Sequence, residues 1–207
     1  VDHLVGLGHQ DIVHVSGGRG AGAAERRTAY VAAMRAAGLT SRTRVIAGDF
    51  TEHAGQSAAR ELLQSRDLPT AVLAANDMVA VGLMGTLESA GVTVPGEVSI
   101  VGYDNLALSE LSMIALTSVA QPLAEFGRAA TDLLLERIED GRTRRVHRRF
   151  EPQGIARAET ARPHARVAQL RPEVRRAGGR REDYAAILAR GTGGRQEQVI
   201  GRGAEEI

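Results

Sequence analysis

The stretch that most constrains the fold runs over residues 69–105, where two short apolar segments flank one helical segment. Ala71 to Ala74 and Ser99 to Gly102 have the length of strands and are almost continuously apolar. Between them, the sequence from Asn76 to Ala90 has helical periodicity and stops before Gly91. Strands that are apolar throughout are typical of parallel sheets buried on both faces, so this stretch predicts a βαβ unit.

The same alternation of strands and helices extends on both sides of this unit. Further strands are predicted over Asp11 to Ser16, Arg44 to Ala47 and Thr117 to Ala120, and further helices over Ala23 to Ala37, Thr51 to Gln64 and Pro122 to Asp140. Four βα units in succession predict an α/β fold with a doubly wound parallel sheet and right-handed crossovers. The chain lacks an initial Met, and His3 to Gly8 resembles the end of a helix, so we expect an N-terminal truncation.

The helix predicted over residues 122–140 has an apolar face that needs a packing partner. The apolar positions, spaced by three and four residues, are Leu123, Phe126, Ala130, Leu133, Leu134 and Ile138. We expect this face to be exposed in the single chain unless a second chain covers it or the helix folds back. After it, Arg142 to Arg149 is interpreted as a solvated basic connector, and residues 164–207 are predicted to be a weakly ordered tail because Arg, Gly, Gln and Glu dominate there.

Composition makes several classes of protein improbable. The 26 basic residues nearly balance the 25 acidic ones, so the average charge does not demand a polyanionic partner. Cysteine is absent, which excludes disulfides, thiolate metal sites and a cysteine nucleophile. No apolar run approaches the roughly 18 residues of a membrane helix. The six histidines are scattered without the spacing of metal ligands, so neither a membrane span nor a metal site is expected.

Small, polar or aromatic residues follow each predicted strand, at positions that a parallel sheet brings to one edge. They are Gly17-Gly18, Asp49-Phe50, Asn76-Asp77, Asp104-Asn105 and Gln121. Open parallel sheets bind ligands at the carboxyl ends of their strands. Carboxylates and amides beside an aromatic ring suit a polyhydroxylated small molecule. Any one of these residues is also a common turn former or helix cap, but five on one edge favour a binding site.

Several of these segments together resemble the effector-binding domain of LacI-type bacterial transcription regulators. They are HLVGLGHQDIVHVSG, GDFT, AANDMVAVG, VPGEVSIVGYDN, LTSVAQP and IARAET, all within residues 1–163. The resemblance implies one lobe of a type I periplasmic-binding-protein-like fold over residues 1–163, with helix 122–140 crossing into a missing N-terminal lobe. It also implies a cytoplasmic homodimer that senses a sugar or similar small metabolite. DNA would be contacted only through an absent helix-turn-helix module, and no catalysis, cofactor, metal or membrane is implied.

The resemblance also assigns roles to single residues. The implied ligand-binding residues are Arg26, Phe50, Asn76, Asp104 and Gln121. In the arginine motif, Ala29 stands where the family has glycine. Asp77 is expected to cap its helix and so to have a structural role. With one lobe absent, we expect weak or no effector binding by this chain.

Two other functions remain open at this point. One is a periplasmic sugar receptor of a transport system, which would share the fold. The other is a Rossmann-type NAD-dependent oxidoreductase, since Gly18-Arg19-Gly20 and Ala23 resemble a dinucleotide fingerprint. The acidic residue expected about 20 positions later is matched only by Asp49, which lies farther along. Serines lack the strand, elbow and helix context of a hydrolase nucleophile, so a hydrolase has no support.

Overall fold

A four-stranded parallel sheet forms the centre of the computed structural model, which describes residues 1–65 and 67–163. The strands, in chain order, are β1 (Ile12–Val15), β2 (Arg44–Ile46), β3 (Ala71–Ala74), β4 (Ser99–Val101), β5 (Ser118–Ala120) and β6 (Gln153–Ile155). The helices are α1 (Asp2–Leu7), α2 (Ala23–Ala36), α3 (Glu52–Gln64), α4 (Asp77–Ser89) and α5 (Leu123–Glu139). The predicted helices and strands are present, with ends that differ by about one residue. The tail expected over 164–207 lies outside the described residues.

The order of the strands explains why a ligand site is expected at one edge of the sheet. The sheet has the order β2-β1-β3-β4, and all of its pairings are parallel. The chain passes from β1 to β2 on one side and then to β3 on the other side, so the direction of winding reverses at β1. Ligands of open α/β sheets bind outside the carboxyl ends of the strands at such a reversal.

Apolar side chains cover both faces of the sheet, which confirms the doubly wound arrangement. Val13 and Val15 pack in a cluster with α3 and α4, whereas Ile12 packs in a second cluster with α1 and α2. In the second cluster, Tyr30 is buried and its hydroxyl donates to the Ile12 carbonyl at 2.7 Å. Two-sided burial is the physical reason that β1 shows no alternation of polar and apolar residues.

Helices α3 and α4 approach each other through glycines that sequence analysis did not single out. A Cβ atom added to Gly55 would lie 2.9 Å from the backbone nitrogen of Leu83. One added to Gly82 would lie 2.9 Å from the carbonyl carbon of Glu52. The two helix backbones therefore touch at positions where only glycine leaves room.

The last predicted strand does not simply extend the parallel sheet. β5 pairs antiparallel with β6, so that Val119 lies opposite Gly154. Its contact with the central sheet is limited to isolated parallel bridges, Val101 to Thr117 and Asp104 to Ala120. Both bridges are parallel, as the predicted sheet requires, although they do not form a continuous ladder. At the second bridge the backbone of Asp104 has a left-handed φ of 111°.

Helix α5 exposes most of its apolar residues in the single chain, as expected. Its exposed large side chains are Leu123, Phe126, Leu134, Leu135 and Ile138. Ala129 is the buried residue of this helix. The centroids of the Phe126 and Phe150 rings lie 4.6 Å apart. The assignment of α5 to a second lobe stays a prediction. Among the helices of the described ranges, none is long and apolar enough to cross a membrane.

Candidate functional site

The five residues that the resemblance implies as ligand-binding lie together in one cluster at the carboxyl edge of the sheet. Gln121 Nε2 donates to Asp104 Oδ1 at 2.6 Å, and Arg26 Nη2 lies 3.7 Å from the same oxygen. The guanidinium carbon of Arg26 is 5.1 Å from the centre of the Phe50 ring. Asn76 Nδ2 donates to the Phe50 carbonyl at 3.0 Å. Contacts through side chains, or through the backbone in the case of Phe50 and Asn76, therefore connect all five residues.

Arg26 is anchored on two further sides. Its Nη1 donates to the Ala75 carbonyl at 3.1 Å, at the end of β3. Its guanidinium carbon also lies 4.0 Å from the centre of the Tyr103 ring, an arrangement in which the cation is attracted to the ring face. Tyr103 was not among the predicted site residues. The available signal was an aromatic residue directly before the site carboxylate of Asp104.

The carboxylate of Asp104 is partly shielded from water, with 24% of its side chain exposed. Burial raises the pKa of the Asp104 carboxyl, the Gln121 hydrogen bond and the Arg26 charge oppose that rise, and the Asp77 charge adds to it. Both close contacts of this carboxylate involve Oδ1. In the part of the chain that the structure describes, Oδ2 is therefore available to accept a hydrogen bond from a ligand hydroxyl.

The glycine-rich loop after β1 packs against the Phe50 ring. A Cβ atom on Gly20 would lie 2.5 Å from Cε2 of the ring, and one on Gly17 would collide with the same ring. Of the two glycines in the suspected dinucleotide fingerprint, Gly20 thus packs against the Phe50 ring, whereas Gly18 has a positive φ of 67° and packs against the Gly48 backbone. This gives the loop a structural explanation that requires no nucleotide.

Asn76 caps α4, a role that was expected of Asp77. Asn76 Oδ1 accepts from the Val79 backbone N–H at 3.0 Å, so the helix begins one residue later, at Asp77. The prediction that Asp77 is the cap was wrong, because the residue before the first helical one has the extended backbone that a cap needs. Asn76 therefore uses both ends of its amide inside the protein, and its contact with a ligand stays a prediction.

Backbone strain is concentrated at this edge of the sheet. Phe50, Asp104 and Asn105 are non-glycine residues with φ values of 68°, 111° and 52°. Left-handed conformations of this kind cost about 1–3 kcal/mol each and persist where surrounding contacts hold them. Such strain is typical of functional sites, and here two of the three residues are predicted to bind a ligand.

The buried histidines have partners inside the fold. His9 Nδ1 lies 3.0 Å from Thr70 Oγ1, its Nε2 lies 2.8 Å from the Ala161 carbonyl, and burial lowers its pKa. His14 Nδ1 lies 2.9 Å from the Leu73 carbonyl, and burial lowers its pKa as well. Within residues 1–65 and 67–163, no group of three or more His, Asp or Glu side chains is placed to hold a metal ion.

Comparison with known proteins adds independent information about this fold. Residues 1–160 match the family described as the periplasmic binding protein-like domain. A helix-turn-helix-type transcriptional repressor, PurR, from Photobacterium profundum is 34% identical over 157 residues, covering 75% of this chain and 47% of that protein. The chain therefore spans about half the length of the curated relatives that it matches.

Solved structures agree with the sequence match. A LacI transcriptional regulator from a Rhodococcus species superposes with a TM-score of 0.75 at 35% identity, covering 78% of this chain and 59% of that one. A LacI-family regulator from Enterococcus faecium, with bound ribose, superposes with a TM-score of 0.71 at 32% identity, covering 77% and 60%. At these identities, the likeness extends beyond the general architecture of the sheet.

Proposed function

The chain belongs to the periplasmic binding protein-like domain family, in the form found in LacI-family transcriptional regulators, and we propose that it is the effector-sensing part of such a regulator. Its matches to transcriptional regulators favour this function over a transport receptor or an NAD-dependent oxidoreductase. In this proposal the domain performs no covalent chemistry. Its effect on transcription comes from binding a small molecule.

The observation that carries the proposal is the environment of Asp104. Its carboxylate is held by Gln121 and Arg26, and Arg26 also lies against the aromatic ring that packs on the glycine loop. A partly desolvated carboxylate forms charge-assisted hydrogen bonds with hydroxyl groups, which are about twice as strong as neutral ones. The Arg26 charge balances that of Asp104, so the site suits a neutral, hydroxyl-rich molecule.

A sugar or a similar small metabolite meets these requirements. The Enterococcus faecium neighbour, whose structure contains ribose, supports this class of effector. A ligand without the hydroxyl groups would leave Asp104 desolvated and without new partners, which costs on the order of 1–3 kcal/mol. Discrimination between related metabolites would follow from that penalty.

In the proposed mechanism, α5 belongs to a second lobe and the effector is bound between the two lobes. An effector changes the affinity for DNA only by as much as it prefers one arrangement of the lobes over the other. DNA would be bound by a separate helix-turn-helix module, in a cytoplasmic homodimer. The exposed apolar face of α5 supports the existence of a covering lobe.

Isothermal titration calorimetry tests the proposal. The 207-residue chain, and an extended protein that also carries the proposed second lobe, are titrated with ribose, glucose and cellobiose. We expect binding by the extended protein to be at least tenfold tighter, and Asp104→Ala to weaken it by at least tenfold. The matched control is Asp132→Ala, which removes an exposed carboxylate of α5 and leaves affinity unchanged. Micromolar binding that survives Asp104→Ala would contradict both the site and the mechanism.

A further inference from the structure

We infer that Asp77 is a positioning residue of the effector site, whose buried carboxylate holds the loop after β4 so that Asp104 meets Gln121 and Arg26. The inference depends on the proposed function for the role of Asp104, whereas the loop geometry is independent of any ligand. Asp77 is fully buried at the first position of α4. The positive end of a helix favours an anion there.

The carboxylate of Asp77 accepts three hydrogen bonds from groups that surround Asp104. Oδ2 accepts from the Leu106 backbone N–H at 2.7 Å and from Ser109 Oγ at 2.6 Å. Oδ1 accepts from Ser118 Oγ at 2.6 Å. Leu106 and Ser109 lie in the loop after Asp104, and Ser118 begins the strand that follows the loop. One buried side chain therefore holds this loop at both of its ends.

The backbone of Asp77 restrains the other side of Asp104. Its N–H donates to the Tyr103 carbonyl at 2.8 Å, directly before the site carboxylate. A Cβ atom on Gly102 would collide with Asp77 Oδ1, so glycine is needed there to make room for the carboxylate. Asp104 and its neighbour Asn105 are thus enclosed between two segments that Asp77 binds.

The two residues between these segments have strained backbone conformations. Asp104 and Asn105 both have left-handed φ values, which non-glycine residues keep only under external restraint. Ser118 links the Asp77 carboxylate to the strained backbone, because its Oγ donates to Asp77 and accepts from the Asn105 backbone N–H at 3.1 Å. Loss of this relay would let the loop relax and would move the Asp104 carboxylate away from its partners.

An amide cannot replace the Asp77 carboxylate without loss. The Leu106 N–H and the two serine hydroxyls meet acceptor oxygens, and a backbone N–H cannot reverse its role. An asparagine offers one oxygen and one donor group, so one of these contacts must reorganise. The charge also strengthens each hydrogen bond that remains. A carboxylate is therefore the side chain that suits this position.

The first test uses Ser118→Ala in the full 207-residue chain, with the carboxyl carbons labelled for ¹³C NMR. Gln121 and Arg26 oppose the rise in the pKa of Asp104, so displacement of the carboxylate from them should raise that pKa further. The Gln121 side-chain amide resonance should also shift as its 2.6 Å hydrogen bond is lost. Asp77→Asn should produce the same shift of the Gln121 resonance.

The control is Thr70→Val, which removes side-chain hydrogen bonds to His9 and Asp11 at the opposite end of β3. It should destabilise the fold without moving the Asp104 titration or the Gln121 resonance. The inference is overturned if Ser118→Ala leaves both signals as in the wild type. It is equally overturned if Ser118→Ala and Asp77→Asn both fail to fold, because the contacts would then serve the fold alone. Failure of every effector in calorimetry would remove the proposed function but not these NMR results.

Discussion

Helices α4 and α5 both follow a strand and both carry many apolar residues, but the apolar residues of α4 are buried and most of those of α5 are exposed. In α4, Val79, Ala80, Leu83 and Leu87 are completely buried against the sheet and α3. In α5, Ala129 is buried, while apolar side chains along the rest of the helix are open to solvent. Apolar periodicity therefore predicts that one face of a helix is buried, but it does not indicate which segment or which second chain buries that face.

The difference also indicates where the stability of this chain resides. The cluster formed by the sheet, α3 and α4 contains most of the completely buried large side chains. Helix α5 and the β5–β6 pair add little buried apolar surface to it. We therefore expect matched substitutions in the two helices to have very different effects on the free energy of unfolding.

The largest expected contrast is between two leucine truncations. Leu83→Ala removes a completely buried side chain of α4 and should lower the free energy of unfolding by about 2–5 kcal/mol. Leu134→Ala removes a side chain that is 56% exposed in α5 and should change it by less than about 0.5 kcal/mol. Urea denaturation followed by circular dichroism measures both. A loss above 2 kcal/mol for Leu134→Ala would mean that α5 is covered in solution.

A second contrast lies within α4 itself. Gly82→Ala places a methyl group against the backbone of α3 and should destabilise the protein by about 1–3 kcal/mol. Gly85→Ala, three residues later on the open side of the same helix, meets nothing within 4 Å. It should stabilise the protein by about 0.5–1 kcal/mol, because alanine is the better helix former. Equal effects in thermal denaturation would show that the two helices do not touch through their backbones.

The smallest expected effect concerns Glu159, which lies near the end of the described chain and contacts the central sheet through its backbone. Its carbonyl accepts from the Ile100 N–H at 2.9 Å, and its side chain is 9% exposed, near Glu88 of α4. Burial, with a smaller contribution from the Glu88 charge, raises the pKa of the Glu159 carboxyl from 4.5 to about 7. The folded protein thus holds a proton that the unfolded chain releases between these two values. Stability is therefore lost as pH rises from 4.5 to 7.

Replacement of Glu159 by a neutral isostere tests this pH dependence. Glu159→Gln should raise the free energy of unfolding at pH 8 by about 1–2 kcal/mol and change it much less at pH 4, where the carboxyl is mostly protonated in both states. The control Glu88→Gln should give a smaller gain in the same direction. Denaturation midpoints of the three proteins at both pH values provide the measurement. A gain that is equal at pH 4 and pH 8 would exclude titration of Glu159 as its cause.

The helices and strands were predictable because their signals are local. Thr51 precedes α3 and its hydroxyl accepts from the Ala54 N–H at 3.2 Å, and Gly8, at the end of α1, has a φ of 103°. The clustering of Phe50, Asn76, Asp104 and Gln121 was predictable as well, since parallel strands deliver their ends to one edge, whereas Arg26 was implied only by the family resemblance. Their contact with an effector remains a prediction, which the Asp104→Ala titration tests.

Other features of the site depend on contacts between distant segments and had no local signal. The choice of Asn76 over Asp77 as the cap of α4 depends on where the helix begins, to within one residue. The place of Tyr103 against Arg26 depends on the relative position of β4 and α2. The antiparallel pairing of β5 with β6 joins segments separated by all of α5, so neither segment indicates it by itself.

The order of elements, their parallel packing and the residue types at the carboxyl edge were therefore already present in the sequence, since periodicity and caps act over a few residues. Tertiary structure decided how close the backbones come and which of two neighbouring polar residues caps helix α4. It turned Asp77 from an expected cap into the buried acceptor of three hydrogen bonds around the Asp104 loop. Burial and close approach are properties of the assembled chain, because each requires surfaces from segments that meet only after folding.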